Sequence, residues 1–233
     1  EINLAAAEEL PGWLPYFDES AGRYCDWRWE KANTSFGDTP VLRGRISDFS
    51  DTDFESLLRY HRPMLEDGII EYEFLYNDSP DTPFAVHPTL DRLVFLLTST
   101  GVKVHWITDG KYDWTSLDPV NAVVEPSKRR GPEHLPLQRD GWNRLRLKLT
   151  GDTVDLELNG KHIYSRTLEA TNHRTFGLFH YADRTEARIR NIRWKGEWPK
   201  ELPLPADQEL FGDPTQALIA AGDGAVCLAY IDS

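Results

Sequence analysis

The chain is poor in helical periodicity, thiols and long apolar runs, and each shortage narrows what it can be. No apolar stretch in its 233 residues approaches the roughly 18 to 20 needed for a helix to span a bilayer; the run Ala217–Ala221 near the end is far too short. Cations are also in deficit. Twenty-six Lys and Arg face 38 Asp and Glu, a formal charge of -12 that repels phosphate backbones and argues against a nucleic-acid partner. Two cysteines, Cys25 and Cys227, lie near opposite ends with no CxxC or metal-ligand spacing, so a disulfide and two free thiols both stand. Nucleophilic catalysis finds no G-x-S-x-G, no Cys beside a His and no glycine-rich phosphate loop.

What the chain does have is strand pattern and aromatic mass. Eight Trp, nine Tyr and ten Phe suit packing between sheets, and equally suit stacking on sugar rings. In "WNRLRLKLTGDTVDLELNG" Leu145, Leu147 and Leu149 alternate with Arg144, Arg146 and Lys148, and Val154, Leu156 and Leu158 alternate with Asp155 and Glu157. A period of two buries one face of a strand and wets the other. Gly151 in "TGD" and Asn159-Gly160 in "NGK" supply hairpin turns, so residues 142–167 read as a three-stranded meander. Further strands are expected at 41–47, 56–62, 68–76, 91–98, 101–108, 174–181 and 185–195. In the last of these, Ala187 and Ile189 share one parity while Ile192 and Trp194 share the other, which predicts a β-bulge near Arg190-Asn191.

Many short strands without intervening helices predict an all-β, antiparallel two-sheet sandwich with short peripheral helices at 5–10 and 215–221. The compact domain is expected over residues 13–198, after an N-terminal extension at 1–12. Residues 199–233 then read as a proline-rich strap followed by the start of another unit.

Trp142-Asn143, Asn159-Gly160, Gly177-Leu178 and Arg190-Asn191-Ile192 together resemble the closing half of concanavalin-A-like jelly rolls, in particular the 3-keto-disaccharide hydrolase domain. The strings "YHRPMLEDGIIEYEF", "VHPTLDRLVFLL", "VHWITDG" and "HYADRTEAR" are similar to a domain family of secreted planctomycete proteins whose chemistry is unassigned. The resemblance implies a jelly-roll fold, an exported protein and, by analogy with glycan-handling jelly rolls, carbohydrate as ligand.

Candidate site residues concentrate in the middle block and in the opening of the last strand pair. Glu71 and Glu73 share one face of "GIIEYEFLY", roughly 6 to 7 Å apart by strand rise, near the spacing of glycosidase acid/base pairs. Ligand-binding candidates are His61, Arg62, His87, Asp91, Arg92, His105, Trp106, Trp114, His180 and Arg184. Imidazole and guanidinium groups reach sugar hydroxyls and anionic substituents, and the indoles stack on sugar faces. Histidine and carboxylate are also divalent-metal ligands, although no HxH or HxxxH spacing forces them together. A structural calcium would draw on Asp109 and Asp113 in "TDGKYD" or on Asp183 and Glu186 in "YADRTE". The expected function is polysaccharide or oligosaccharide binding on the concave sheet. The alternatives are a glycoside-cleaving enzyme, hydrolase or lyase, with metal assistance as one route, and a structural interaction module.

Overall fold

The computed structural model describes residues 1–17, 27–31, 39–45, 55–76, 86–107, 121–182 and 185–197, together with the backbone of strands Gln216–Ala220 and Val226–Tyr230. Two compact units are present, Glu1–Trp198 and Pro199–Ser233. In chain order the first unit contains β1 (Ile2–Asn3), β2 (Trp13–Pro15), β3 (Trp27–Glu30), β4 (Val41–Gly44), β5 (Glu55–Pro63) and β6 (Gly68–Tyr76). Then follow β7 (His87–Leu90), β8 (Leu93–Thr98), β9 (Gly101–Trp106), β10 (Val123–Val124) and β11 (Gly141–Thr150). The unit closes with β12 (Thr153–Leu158), β13 (Lys161–Thr167), β14 (Thr175–Tyr181) and β15 (Ala187–Gly196).

These strands form the expected all-β sandwich of jelly-roll type. An eight-stranded sheet runs β13-β12-β11-β6-β15-β4-β3, with β1 added on β15, and a seven-stranded sheet runs β10-β9-β8-β7-β14-β5-β2; all pairs are antiparallel. The meander follows the alternation: Leu145, Leu147, Leu149, Val154, Leu156 and Leu158 are all buried, and Leu147 stands opposite Leu156. Its turns use the residues that tolerate a left-handed backbone, Gly151 at φ 55° and Asn159-Gly160 at 47° and 76°. The β15 register slips between Arg190 and Arg193, with Asn191 at φ 55°, so the parity break in the sequence is a bulge.

Inward residues of both sheets, among them Ile70, Tyr72, Phe74, Leu90, Leu93, Phe95, Phe176 and Leu178, make the main core. Burying each such side chain contributes about 1.5–3 kcal/mol before the entropy of ordering is subtracted. The seven-stranded sheet is apolar on its outer face too. There Leu57, Val94, Leu96, Ile107, Phe179 and Tyr181 pack with Tyr16 and Phe17 in a second cluster.

Two features differ from the sequence expectation. Residues 1–12, read as an extension, carry β1, and Leu4 is buried with its carbonyl accepting from Trp13 Nε1 at 2.6 Å. Residues 5–10 hold turns and no helix. In the second unit Gln216–Ala220 is a strand paired antiparallel with Val226–Tyr230, Leu218 opposite Leu228, where a helix was expected. An Ala-containing five-residue run is too short for helical propensity to decide its state, and a pairing partner a few residues on overrides it.

Candidate functional site

The outer face of the eight-stranded sheet carries Glu71 and Glu73, because Ile70, Tyr72 and Phe74 take the inner parity of β6. Each carboxylate is held by an arginine. Glu71 pairs with Arg144 at 2.6 Å. Glu73 accepts from Arg190 at 2.6 Å and Asn191 at 3.2 Å, and the Arg190 guanidinium lies over the Trp142 ring at 4.1 Å. A cleft of about 310 Å³ on this face is lined by Ile69, Glu71, Arg144, Arg146, Glu157, Gly160 and Lys195. Its charges are matched: Arg146 pairs with Glu157 at 3.1 Å and Lys195 with Glu1 at 3.3 Å. This face is a ladder of ion pairs whose hydrogen-bonding capacity is largely spent on itself.

The outer face of the seven-stranded sheet is different. Antiparallel registry places Arg59 of β5 opposite Gly177 of β14, Gly177 opposite Thr89 of β7, Thr89 opposite Val94 of β8, and Val94 opposite His105 of β9. One row across five strands therefore holds Arg59, Thr89 and His105, all buried, and the neighbouring rows add His87 and Thr175. Buried polar groups cost free energy unless paired. Yet Thr89 Oγ1, Thr175 Oγ1 and His87 Nε2 have no hydrogen-bond partner among the described residues. Thr89 leans over Gly177, where a Cβ would come within 2.4 Å of its hydroxyl. Arg59, 6% exposed, lies over the Tyr16 ring with its Cζ 4.9 Å from the centroid. Burial lowers its pKa, against the raising influence of Tyr16 and Asp91, while Arg92 adds to the lowering. Asp91 and Arg92 form the turn between β7 and β8, where Asp91 takes φ 52° and accepts from the His173 amide at 3.2 Å.

The histidines separate into three environments. His87 accepts the Leu97 amide on Nδ1 at 3.1 Å, so its ring proton sits on Nε2, a buried donor. Burial, aided by the charge His180 would carry, lowers its pKa to about 3. His180 has the parity of Phe176 and Leu178 and lies between the sheets, not on a ligand-facing surface. Its Nδ1 donates to the Thr185 carbonyl at 3.1 Å, its ring meets Trp27 edge-on at 4.9 Å, and burial lowers its pKa to about 4. His61 is half-buried and already occupied, donating from Nδ1 to Gly12 at 3.0 Å and accepting Arg62 Nε at 3.2 Å.

Trp106, expected on the sugar-stacking surface, faces the inner core instead and has Arg166 over its ring at 5.3 Å. Parity decides this, since His105 takes the outer face of the same strand. Among the described residues no three His, Cys, Asp or Glu side chains gather as a metal site. Glu186 is held by Arg43 and Arg188; burial opposes its ionisation, but these bonds outweigh it and keep the carboxyl below its usual range. Trp114, Arg184, Asp109, Asp113, Asp183 and Cys25, with the side chain of Cys227, lie outside the described residues. The sequence reading missed Arg59, Thr89 and Thr175. Their only signal is that Arg59 breaks an apolar outer parity begun by Leu57, and that signal has meaning only once both faces of the sheet are known to be covered.

The first unit is thus a two-sheet antiparallel jelly roll with a buried polar row on one outer face. The chain belongs to the DUF1583_N family, a domain of unknown function, whose model matches residues 49–201. No curated protein matches it in sequence. Among solved structures it is similar to the carbohydrate-binding module CBM66 from Bacillus subtilis, at 15% identity and a TM-score of 0.48, covering 79% of this chain and 96% of that one. An alginate lyase from Corynebacterium sp. is similar at 9% identity and a TM-score of 0.45, covering 83% and 97%. The galectin LEC-6 from Caenorhabditis elegans is similar at 12% and 0.40, covering 65% and 99%.

Proposed function

We propose that this domain binds polysaccharide on the outer face of its seven-stranded sheet, as a module of an exported protein. The observation that carries the reading is a group of buried polar side chains on that face, Thr89, Thr175 and His87, whose Oγ1, Oγ1 and Nε2 atoms have no hydrogen-bond partner among the described residues. Sugar hydroxyls both donate and accept, so they satisfy a mixed set of hydroxyl and imidazole groups held on a rigid sheet. Binding is favoured over glycoside cleavage because Glu71 and Glu73 lie on the opposite sheet's outer face, each tied to an arginine.

The test is a glycan array spanning neutral and acidic polysaccharides, followed by titration of the best binder. Thr89→Val and His87→Gln each remove one unspent hydrogen-bonding group and are expected to weaken binding about tenfold, the equivalent of about 1.4 kcal/mol. An array with no binder would overturn the function; full affinity in both variants would overturn the site.

A further inference from the structure

We infer that the ligand is a stretch of glycan chain about three residues long, laid along strands β7 and β14 with Thr175 at one end of its bed and His87 at the other. This rests on the glycan-binding reading above and adds the length and direction of the ligand. Three buried side chains on the outer face of the seven-stranded sheet carry atoms with no hydrogen-bond partner among the described residues: Thr175 Oγ1, Thr89 Oγ1 and His87 Nε2. Strand register gives their order. Gly177 of β14 stands opposite Thr89 of β7, and Phe179 opposite His87. Thr175, two residues before Gly177, therefore lies beyond Thr89 on the side away from His87.

The run is longer than one sugar. By strand rise, Thr175 and His87 are about 14 Å apart along the strand direction. The side chains widen this separation. Val94 of β8 stands opposite Thr89, and Leu97 lies three residues further on, past the level of His87; its amide donates to His87 Nδ1 at 3.1 Å and holds the ring away from Thr175. Thr89 Oγ1 leans the other way, over Gly177, where a Cβ would come within 2.4 Å of it. The absent side chain of Gly177 thus lets the middle hydroxyl sit over β14, in line with Thr175. A pyranose advances a glycan by about 5 Å, a ring's width plus a linking bond at ordinary covalent lengths, so one residue reaches one of these atoms and a trisaccharide reaches all of them.

The three positions ask for different atoms. The Thr175 carbonyl already accepts the Asp91 amide at 2.7 Å, which leaves its hydroxyl. Hydroxyls donate and accept, so Thr175 and Thr89 match any sugar hydroxyl. His87, with Nδ1 occupied, presents only an N–H, so the sugar at that end must offer an acceptor oxygen. The rings of Phe179 and Tyr181 lie 6.0 Å from the imidazole, whereas Asp91 adjoins Thr175. Unequal ends give the chain one direction on the sheet. A monosaccharide leaves two of the three atoms unpaired, and each added residue that reaches a further one adds affinity.

The experiment is calorimetric titration of the whole chain with xylo-, manno-, cello- and alginate oligosaccharides of one to six residues, beside their parent polymers. In the series that binds, affinity is expected to rise about tenfold or more from the monosaccharide to the trisaccharide and to level off beyond it. Thr175→Val and His87→Gln should each weaken the trisaccharide about tenfold. With the disaccharide, which spans only part of the run, one of the two variants should have this effect and the other none. The length series uses the intact protein, so its result stands even where a variant does not fold. A monosaccharide bound as tightly as the trisaccharide, or a disaccharide weakened equally by both variants, overturns the length and direction and leaves the glycan reading in place. Absence of binding to every oligosaccharide and polymer overturns both.

Discussion

Gly177 lies directly beneath the Thr89 hydroxyl: a Cβ on residue 177 would come within 2.4 Å of Thr89 Oγ1, and within 2.8 Å of Leu57 Cδ1. Strands β5, β14 and β7 are therefore packed side by side around a missing side chain, and the polar row depends on that gap. Arg59 and Thr89 reach the same face from strands on either side of it.

Gly177→Ala is expected to destabilise the fold by about 1–3 kcal/mol through overpacking. Combining it with Thr89→Ala removes the closest contact and should restore part of the loss, leaving the Leu57 contact unrelieved. Denaturant midpoints of the single and double variants check this, and a Gly177→Ala protein as stable as the parent would refute the close approach.

Stability should fall as pH drops below about 6.5. His87 and His180 have folded pKa values near 3 and 4, lowered by burial, whereas an unfolded histidine titrates near 6.5. Above 6.5 both states are neutral and neither residue contributes a slope. Between 6.5 and the folded values the unfolded chain binds protons that the folded chain refuses, so each histidine costs roughly 1 kcal/mol per pH unit. Urea titrations between pH 7.5 and 4.5 should show this slope, and His87→Gln should flatten it by about half relative to the two-histidine contribution.

Glu71→Gln and Glu73→Gln are expected to change stability by less than about 1 kcal/mol each, because their partners Arg144 and Arg190 sit on a solvent-facing sheet surface. Neither should alter glycan affinity. Loss of binding in either variant would move the ligand to the eight-stranded sheet.

Asn143 is fully buried and spends its amide completely. Nδ2 donates to the carbonyls of Gln138 and Gly141, and Oδ1 accepts from the Gln138 amide and from Asn159 Nδ2. Asn143→Ala leaves those groups without partners in a closed site and should cost about 2 kcal/mol or more. A smaller loss by thermal or denaturant unfolding would mean that water replaces the amide.

Much of the architecture could be read from residue order alone. Period-two alternation in β6, β11 and β12 named the buried side of each strand, since a single apolar face admits only one orientation toward a core. Gly151 and Asn159-Gly160 marked the hairpins because few other residues accept a left-handed backbone. The parity change between Ile189 and Ile192 located the bulge for the same reason.

Alternation gives no answer where both faces are apolar, as in Leu93–Leu97, and there the tertiary structure decided. It directed His180 inward between the sheets and His87 outward, with their ring protons on opposite nitrogens. The pairing of β5 with β14 and β14 with β7 gathered Arg59, Gly177 and Thr89, which are far apart in sequence, into one row. Strand parity is a local property of the chain and so belongs to the sequence. Which strands become neighbours depends on burying two sheets against each other at once, and the site exists only in that arrangement.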